Sequence, residues 1–340
     1  MKKVSVVILN WNGAEMLRTF LPSVIENTNP LLADVCVADN GSTDNSVEIL
    51  QSEFPTVRLI RLDENYGFAE GYNKVMDFVD TEYVVLLNSD VEVTDCWIEP
   101  ILEYMDENPE VAACQPKILS YRNKKLFEYA GASGGFIDKY GYPFCRGRVF
   151  DTVEADNGQY NDIIDIFWAS GAAMFVRRNL YKSVGGLDGK FFAHMEEIDL
   201  CWRFLSRGYR VVCVPSSTVY HVGGATLKKE NPRKTYLNFR NNLLMLYKNL
   251  PSHELKSVMR VRCALDYMAA LFFVLKCDFS NAKAVIKARQ DYLKLRDEFQ
   301  SSRQCNLKEA TVGKIKYRYN FSIIFRCKLS GKKTYTELAR

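Results

Sequence analysis

Over the first 120 residues the hydrophobic positions follow two periods in turn. Short, nearly continuous apolar runs at 4–9 (VSVVIL), 34–38 (DVCVA), 57–62, 83–87 (YVVLL) and 111–113 read as strands covered on both faces. Between them, residues 14–26, 46–53, 68–78 and 97–105 place apolar side chains at helical spacing. The alternation predicts an α/β fold: βαβ units with right-handed crossovers, a mostly parallel central sheet and helices on both faces. Ligands of such sheets sit beyond the C-terminal strand ends.

Residues 121–220 change character. Glycines and aromatics cluster in 130–147 and predict irregular hairpins; strands are expected at 165–168, 172–176 and 209–214, with an amphipathic helix at 196–207. From Pro232 onward the pattern is helical, at 235–250, 254–275 and 281–299. The division expected is an α/β domain over 1–230 and a helical extension over 231–340.

With 47% hydrophobic and 13% aromatic residues the 340-residue chain can build a large core, which excludes global disorder. Ten cysteines are scattered singly without a C-x-x-C pair, which argues against zinc knuckles and fits a reducing cytosol. The apolar run after Lys2 and Lys3 ends at Asn10, too early for a signal peptide. The longest apolar stretch, 264–275, has 12 residues and contains Asp266, short of a membrane span. The net charge of +4 hides a split. Residues 1–220 hold 20 basic and 32 acidic residues (−12), and residues 221–340 hold 25 and 9 (+16). A basic segment behind an acidic body points to an anionic contact, with a solvated helical face as the plain alternative.

Four predicted strand ends carry polar clusters: Asn10-Trp11-Asn12-Gly13, residues 39–44 (DNGSTD), residues 65–73 (NYGFAEGYN) and Asn88-Ser89-Asp90. Asn, Gly and Asp dominate ordinary turns, but four such clusters at one sheet edge suit a ligand site. Asp39 can accept bonds from a nucleobase or ribose, and Gly67 and Gly71 permit close backbone approach beside Asn65 and Asn73. No G-x-G-x-x-G follows the first strand, so the dinucleotide fingerprint fails. Asp90 suits a hard divalent cation that also touches a diphosphate, with His221 as second ligand; an imidazole favours Mn²⁺. Glu196, Glu197 and Asp199 crowd a helix start. The helix dipole favours acids there, and their mutual repulsion raises pKa values, which suits a general base.

Together the runs VVILNWNG (6–13), VADNGSTDNS (37–46), ENYGFAEGYN (64–73), LLNSDV (86–91), WASGAAMFVRR (168–178), GGLDGKFFAHMEEIDLCWR (185–203), HVGGAT (221–226) and FRNN (239–242) resemble the family-2 glycosyltransferases of GT-A fold, in their rhamnosyltransferase-like branch. The resemblance covers about 1–250. It implies that Asn10, Asn12, Asp39, Asn65, Gly67 and Ser89 hold a nucleotide. Asp90 matches the last residue of the Asp-x-Asp metal motif, whose first position is Asn88 here. Glu197 matches the catalytic base, an Asp in the family pattern, with Glu196 the second candidate. Trp168, Ser170 and Gly171 match the donor-sugar and acceptor cleft, while Asp199 and Arg203 organise the helix.

The function expected is an inverting, Mn²⁺- or Mg²⁺-assisted transfer from a nucleotide-sugar donor, dTDP-rhamnose or a UDP-hexose, to a lipid-linked or surface glycan. The alternatives are an inactive nucleotide-sugar-binding partner protein at the membrane, a dehydrogenase or a nucleotidyltransferase. Residues 254–275 pair Lys256, Arg260 and Arg262 with the apolar run LFFVL (271–275), a pattern that can lie on an anionic membrane surface or form a homodimer. Nucleic acid is not expected. The location expected is cytoplasmic, peripheral on the inner face of the cytoplasmic membrane.

Overall fold

The computed structural model describes residues 2–223 and 231–339. Gly224, Ala225 and Thr226 of the HVGGAT run lie outside them, as does residue 230, the expected end of the first domain. The predicted alternation is present as β1 (Val4–Asn10), α1 (Ala14–Glu26), β2 (Ala33–Asn40), α2 (Ser46–Ser52), β3 (Arg58–Leu62), α3 (Gly67–Val75) and β4 (Tyr83–Leu87). A short β5 (Val91–Val93) and α4 (Glu99–Glu107) lead to β6 (Val111–Ser120), seven residues longer than the apolar run 111–113 suggested.

Then come β7 (Gly135–Asp138), β8 (Pro143–Cys145), β9 (Arg148–Val149), β10 (Thr152–Val153), β11 (Ile164–Asp165), β12 (Ala173–Arg177), α5 (Arg178–Ser183), α6 (Glu196–Ser206) and β13 (Arg210–His221). The strand expected at 165–168 ends at Asp165, and Trp168 makes only an isolated bridge to Gly135. The extension holds α7 (Pro232–Asn249), α8 (Ser252–Leu275), α9 (Phe279–Leu295), α10 (Gln300–Glu309), β14 (Arg318–Tyr319), α11 (Ile323–Ser330) and α12 (Tyr335–Ala339).

The large sheet runs β11-β13-β6-β12-β4-β1-β2-β3, with β5 on β13. Its β4-β1-β2-β3 part is parallel as the alternation predicts; β12 enters antiparallel between β4 and β6, so the sheet is mixed. Successive side chains face opposite layers. Val6, Ile8, Val85 and Leu87 pack with α1 and α4, while Val7, Val84 and Leu86 pack with α3 and α6. Strand order reverses between β4 and β1, and the crevice at such a point receives ligands.

The extension packs on the body. Leu243, Met245, Tyr292, Phe299 and Ile323 join the same hydrophobic cluster as Val84 and Leu86. β14 pairs in parallel with β7, so the hairpin sheet β10-β9-β8-β7-β14 is completed by the tail. Around it, Tyr335 stacks on Phe136 at 5.1 Å, Tyr319 lies 5.6 Å from both Phe136 and Phe144, and Phe321 is 6.1 Å from Phe144. Buried Asp138 joins the two parts, its Oδ2 accepting from the Ile323 N–H (3.0 Å). The aromatics interleaved with basic residues in 311–340 are therefore largely spent on internal packing. Among the described residues no helix is long and apolar enough to cross a membrane.

Deleting 311–340 should uncover the wholly buried Phe136 and Phe144, a loss on the order of the 3–5 kcal/mol of a buried Phe→Ala change. A marked drop in thermal midpoint with gain of hydrophobic-dye binding is expected. An unchanged midpoint would mean that the tail packs too weakly to matter.

Candidate active site

The site begins at the β1/β2 edge. Buried Asn10 donates through Nδ2 to Asp39 Oδ1 (3.2 Å) and Ser42 Oγ (3.3 Å), while Asp39 Oδ2 accepts from the Ser42 N–H (3.1 Å). Asn12 stands in the left-handed region (φ 50°), and its Oδ1 accepts from the Thr43 (2.7 Å) and Asp44 (3.3 Å) N–H groups. The first two polar loops are thus locked to each other. Asn40 locks the third: its Nδ2 reaches Asn65 Oδ1 (3.2 Å) and Gly67 O (3.0 Å). Gly67 has φ 73°, and a Cβ there would lie 2.6 Å from the Phe192 ring, so only glycine fits. Through that contact the loop at 191–195 leans on the start of α3, with the Phe68 N–H donating to Phe192 O (2.8 Å).

Sheet register assembles the second cluster. β13 ends with His221 opposite Val91 of β5, which brings the ring beside Asp90 across 131 residues of sequence. His221 Nε2 lies 3.1 Å from Asp90 Oδ1 and 3.3 Å from Asn88 Nδ2. On the far side of the ring, Nδ1 is 3.5 Å from Glu128 Oε1. Gly223 makes room for that carboxylate, since a Cβ there would stand 2.6 Å from it. Burial opposes charge on the His221 ring, yet Asp90 and Glu128 together pull its pKa up to about 10. Burial also pushes the Asp90 carboxyl up, but the hydrogen bond and charge of His221 outweigh it and hold it below the usual carboxylate range.

Among the described residues, no three His, Cys, Asp or Glu side chains group closely enough to hold a metal without help. Asp90 Oδ1 and His221 Nε2 nonetheless stand 3.1 Å apart, a carboxylate and an imidazole that together would suit a divalent cation. A carboxylate with a neutral imidazole suits Mn²⁺, so a cation there would take the place of the proton on His221 Nε2.

The third cluster opens α6. Phe192, His194 and Met195 all have positive φ (66°, 72° and 74°), a costly backbone for such residues. Asn241 of α7 holds this turn, its Nδ2 sitting 2.8–3.0 Å from the carbonyls of Phe191, Ala193 and His194. Glu196 is buried and Glu197 half-buried, and each has one Oε2 without a partner. Burial raises the Glu196 carboxyl well above its usual range, with Glu197 adding repulsion; burial raises Glu197 to about 7. His194 Nε2 is likewise buried and unpartnered, and burial pushes that ring down to about 4. Asp199 behaves oppositely. Burial pushes it up, but Lys248 and Arg203 win and keep it ionised, with Lys248 Nζ at 2.8 Å and Arg203 Nε at 3.0 Å.

Ser89 lies beside the Asn10 loop, its Oγ 3.9 Å from where a Gly13 Cβ would stand. Trp168 and Ser170 are buried: Trp168 Nε1 donates to Phe136 O (3.0 Å) and Ser170 Oγ to Ala130 O (2.5 Å). Gly171 lies under Phe68. Gly171 thus borders α3, while the side-chain donors of Trp168 and Ser170 are used internally. Sequence reasoning missed Glu128, which lies in a hairpin without a motif. It also assigned no role to Asn241, although FRNN was noticed; the only signal was a pair of amides on an otherwise amphipathic helix.

A family model described as Glycosyl transferase family 2 matches residues 5–183, more than half of the chain. The chain is a family-2 glycosyltransferase. It is 28% identical over 235 residues to an N-acetylglucosaminyl-diphospho-decaprenol L-rhamnosyltransferase of Mycobacterium tuberculosis, covering 64% of this chain and 75% of that protein. In fold it is similar to GalNAc-T7, solved with UDP, GalNAc and Mn²⁺ (TM-score 0.60, 15% identity, 88% of this chain and 57% of that one). It is also similar to the mannosyltransferase PcManGT of Pyrobaculum calidifontis, solved with GDP-Man and Mn²⁺ (TM-score 0.52, 14% identity, 90% and 84%). The GT-A fold expected from the motifs is the one present.

The raised Glu196 and Glu197 carboxyls make this glycosyltransferase bind more protons folded than unfolded above 4.5, their ordinary value, in the case of Glu197 up to about 7. Stability should therefore fall as pH rises through that window. Glu196→Gln should flatten the fall in urea-unfolding midpoints; an unchanged slope would show that Glu196 is not held protonated. Asp199→Ala should leave buried Arg203 with carbonyl acceptors but no carboxylate and Lys248 with Asp188 alone, a loss of up to about 3–5 kcal/mol in chemical denaturation.

Proposed function

We propose that the enzyme transfers a sugar, with inversion, from a nucleoside-diphosphate sugar to a hydroxyl of a lipid-linked glycan, with dTDP-rhamnose or a UDP-hexose as donor. The observation that carries this reading is the buried Asp90–His221 pair, 3.1 Å apart, at the strand-order reversal where diphosphates bind. Support for the acceptor class comes from the mycobacterial relative, whose name specifies a diphospho-decaprenol substrate.

In this reading Asn10, Asn12, Asp39, Asn65 and Gly67 seat the nucleoside, Ser89 borders its diphosphate, and Asp90 with His221 would hold the divalent cation. When bound, that cation supplies positive charge against the leaving diphosphate. Glu128 keeps the His221 ring turned so that Nε2 faces Asp90. Glu197 is the general base. Its pKa near 7 leaves it partly ionised at neutral pH and basic enough to take a proton, while the more deeply buried Glu196, raised further by burial and by Glu197, favours its neutral form. The acceptor oxygen attacks the anomeric carbon, its proton passes to Glu197, and the bond to the diphosphate oxygen breaks on the opposite face. Asn241 and the Asp199–Lys248–Arg203 cluster fix the base-bearing turn.

Glu197→Gln should lower turnover by about 10²–10⁴ while leaving donor affinity in place. The wild-type rate should fall below a pH of about 7, and that limb should vanish in the variant. Turnover close to wild type in Glu197→Gln would defeat the assignment of the base, whereas donor binding without turnover in wild type would favour an inactive sugar-nucleotide-binding protein. Glu128→Gln should weaken Mn²⁺ binding by about 10–100-fold in calorimetry. Full activity in excess chelator would exclude the metal role.

A further inference from the structure

The turn joining α8 to α9 leaves apolar side chains in water that the catalytic reading does not use. Tyr267, Met268, Leu271, Phe272, Leu275 and Phe279 are all exposed, Leu275 at 75% and Phe279 at 65%. They fall on the last turns of one helix and the first residue of the next, so they form one protruding tip. Soluble proteins rarely leave such a cluster in water without a partner.

Charge around the tip is one-sided. Every fully exposed charged residue from 255 to 290 is basic: Lys256, Arg260, Lys276, Lys283 and Lys287. The acids of that stretch are withdrawn. Asp266 is wholly buried between Arg262 (3.2 Å) and Arg289 (2.7 Å), and Asp278 caps α9 by accepting from the Asn281 N–H (3.1 Å). Lys276 Nζ sits 4.5 Å above the Phe272 ring, its stem along the apolar face and its charge at the rim.

We propose that this tip inserts into the interfacial layer of an anionic bilayer, holding the enzyme at the surface where a lipid-linked acceptor is presented. The proposal deepens the lipid-linked-acceptor reading above and rests on it. An apolar wedge rimmed by lysines matches the acyl boundary below and phosphate headgroups above. A second copy fits less well, because two such tips packed about a twofold axis would bring their lysine rims together.

The test is co-sedimentation of the full chain with vesicles of phosphatidylethanolamine and phosphatidylglycerol, against pure phosphatidylcholine. Wild type should bind the anionic vesicles and release them in high salt. The quadruple variant Leu271→Ser, Phe272→Ser, Leu275→Ser, Phe279→Ser should bind at least about 10-fold more weakly. Lys276→Gln with Lys283→Gln should cut the preference for anionic lipid by about 10-fold. All these positions are exposed, so circular dichroism should be unchanged in both variants. Donor hydrolysis, which needs no membrane, should match wild type in both. Hydrolysis without vesicle binding by wild type, or equal binding by the quadruple variant, overturns the membrane proposal alone. Absence of hydrolysis in wild type counts instead against the glycosyltransferase reading of the site. Concentration-dependent dimers lost in the quadruple variant, with no vesicle binding, would assign the tip to a second copy.

Discussion

A wholly buried, ionised Asp199 is the constraint around which the catalytic half of the molecule is arranged. An isolated carboxylate in that position would cost several kcal/mol, so α6 can occupy its place only with Lys248, Asn249 and Arg203 around it. Two of those partners come from α7. The helix that carries Glu196 and Glu197 is therefore held by the extension, and the same α7 supplies Asn241 to the left-handed turn before it. Two acids at the mouth of α6 can be pushed toward neutrality because the third is neutralised beneath them.

The charge split between the two parts of the chain has its counterpart in these contacts. Lys248 of the extension reaches Asp188 as well as Asp199, Tyr317 donates to Asp165, and the Tyr335 N–H meets Glu154. Part of the basic excess thus neutralises the acidic body directly. Of what is left over, Lys256, Arg260, Lys276, Lys283 and Lys287 lie on the exposed side of α8 and α9, beside apolar side chains that no other part of the described chain covers, and Lys308, Lys314, Lys316, Lys328 and Lys333 are exposed further along.

The two clusters of the site are built by different means. Asp90 and His221 meet because β13 runs on past a bulge between Val214 and Thr218 and lies beside both β5 and β6. Register does that work, and a slip of one residue would turn His221 to the other face. The turn at 192–195 is instead a strained loop held by side-chain amides. A wall set by register at Asp90 and His221 and a clamped loop before Glu197 would suit the proposed transfer, in which diphosphate and acceptor oxygen must be aligned on one carbon.

Much of this was legible along the chain. The apolar runs defined β1 to β4, and the four polar loops at their ends proved to share one sheet edge, because parallel strands repeat the same polarity and their loops exit together. The acidic start of α6 and the candidate pair Asp90 and His221 were also visible locally. Other features depend on contacts between residues far apart. Glu128 stands behind His221 because the chain after β6 turns back along β6, where Leu119 bridges Phe127 and the Glu128 N–H donates to Ile118 O, and β6 is the strand that pairs with the end of β13; nothing around residue 128 announces it. The mixed order of the sheet, with β12 between β4 and β6, is likewise a matter of packing, since an antiparallel buried strand has the same apolar pattern as a parallel one. The basic excess of the last 120 residues pointed to an anionic contact, yet aromatics of its final segment lie against Phe136 and Phe144. Local pattern decides which side chains must leave water; only the assembled fold decides what they meet, because partner and register are chosen by packing over separations that no periodicity spans.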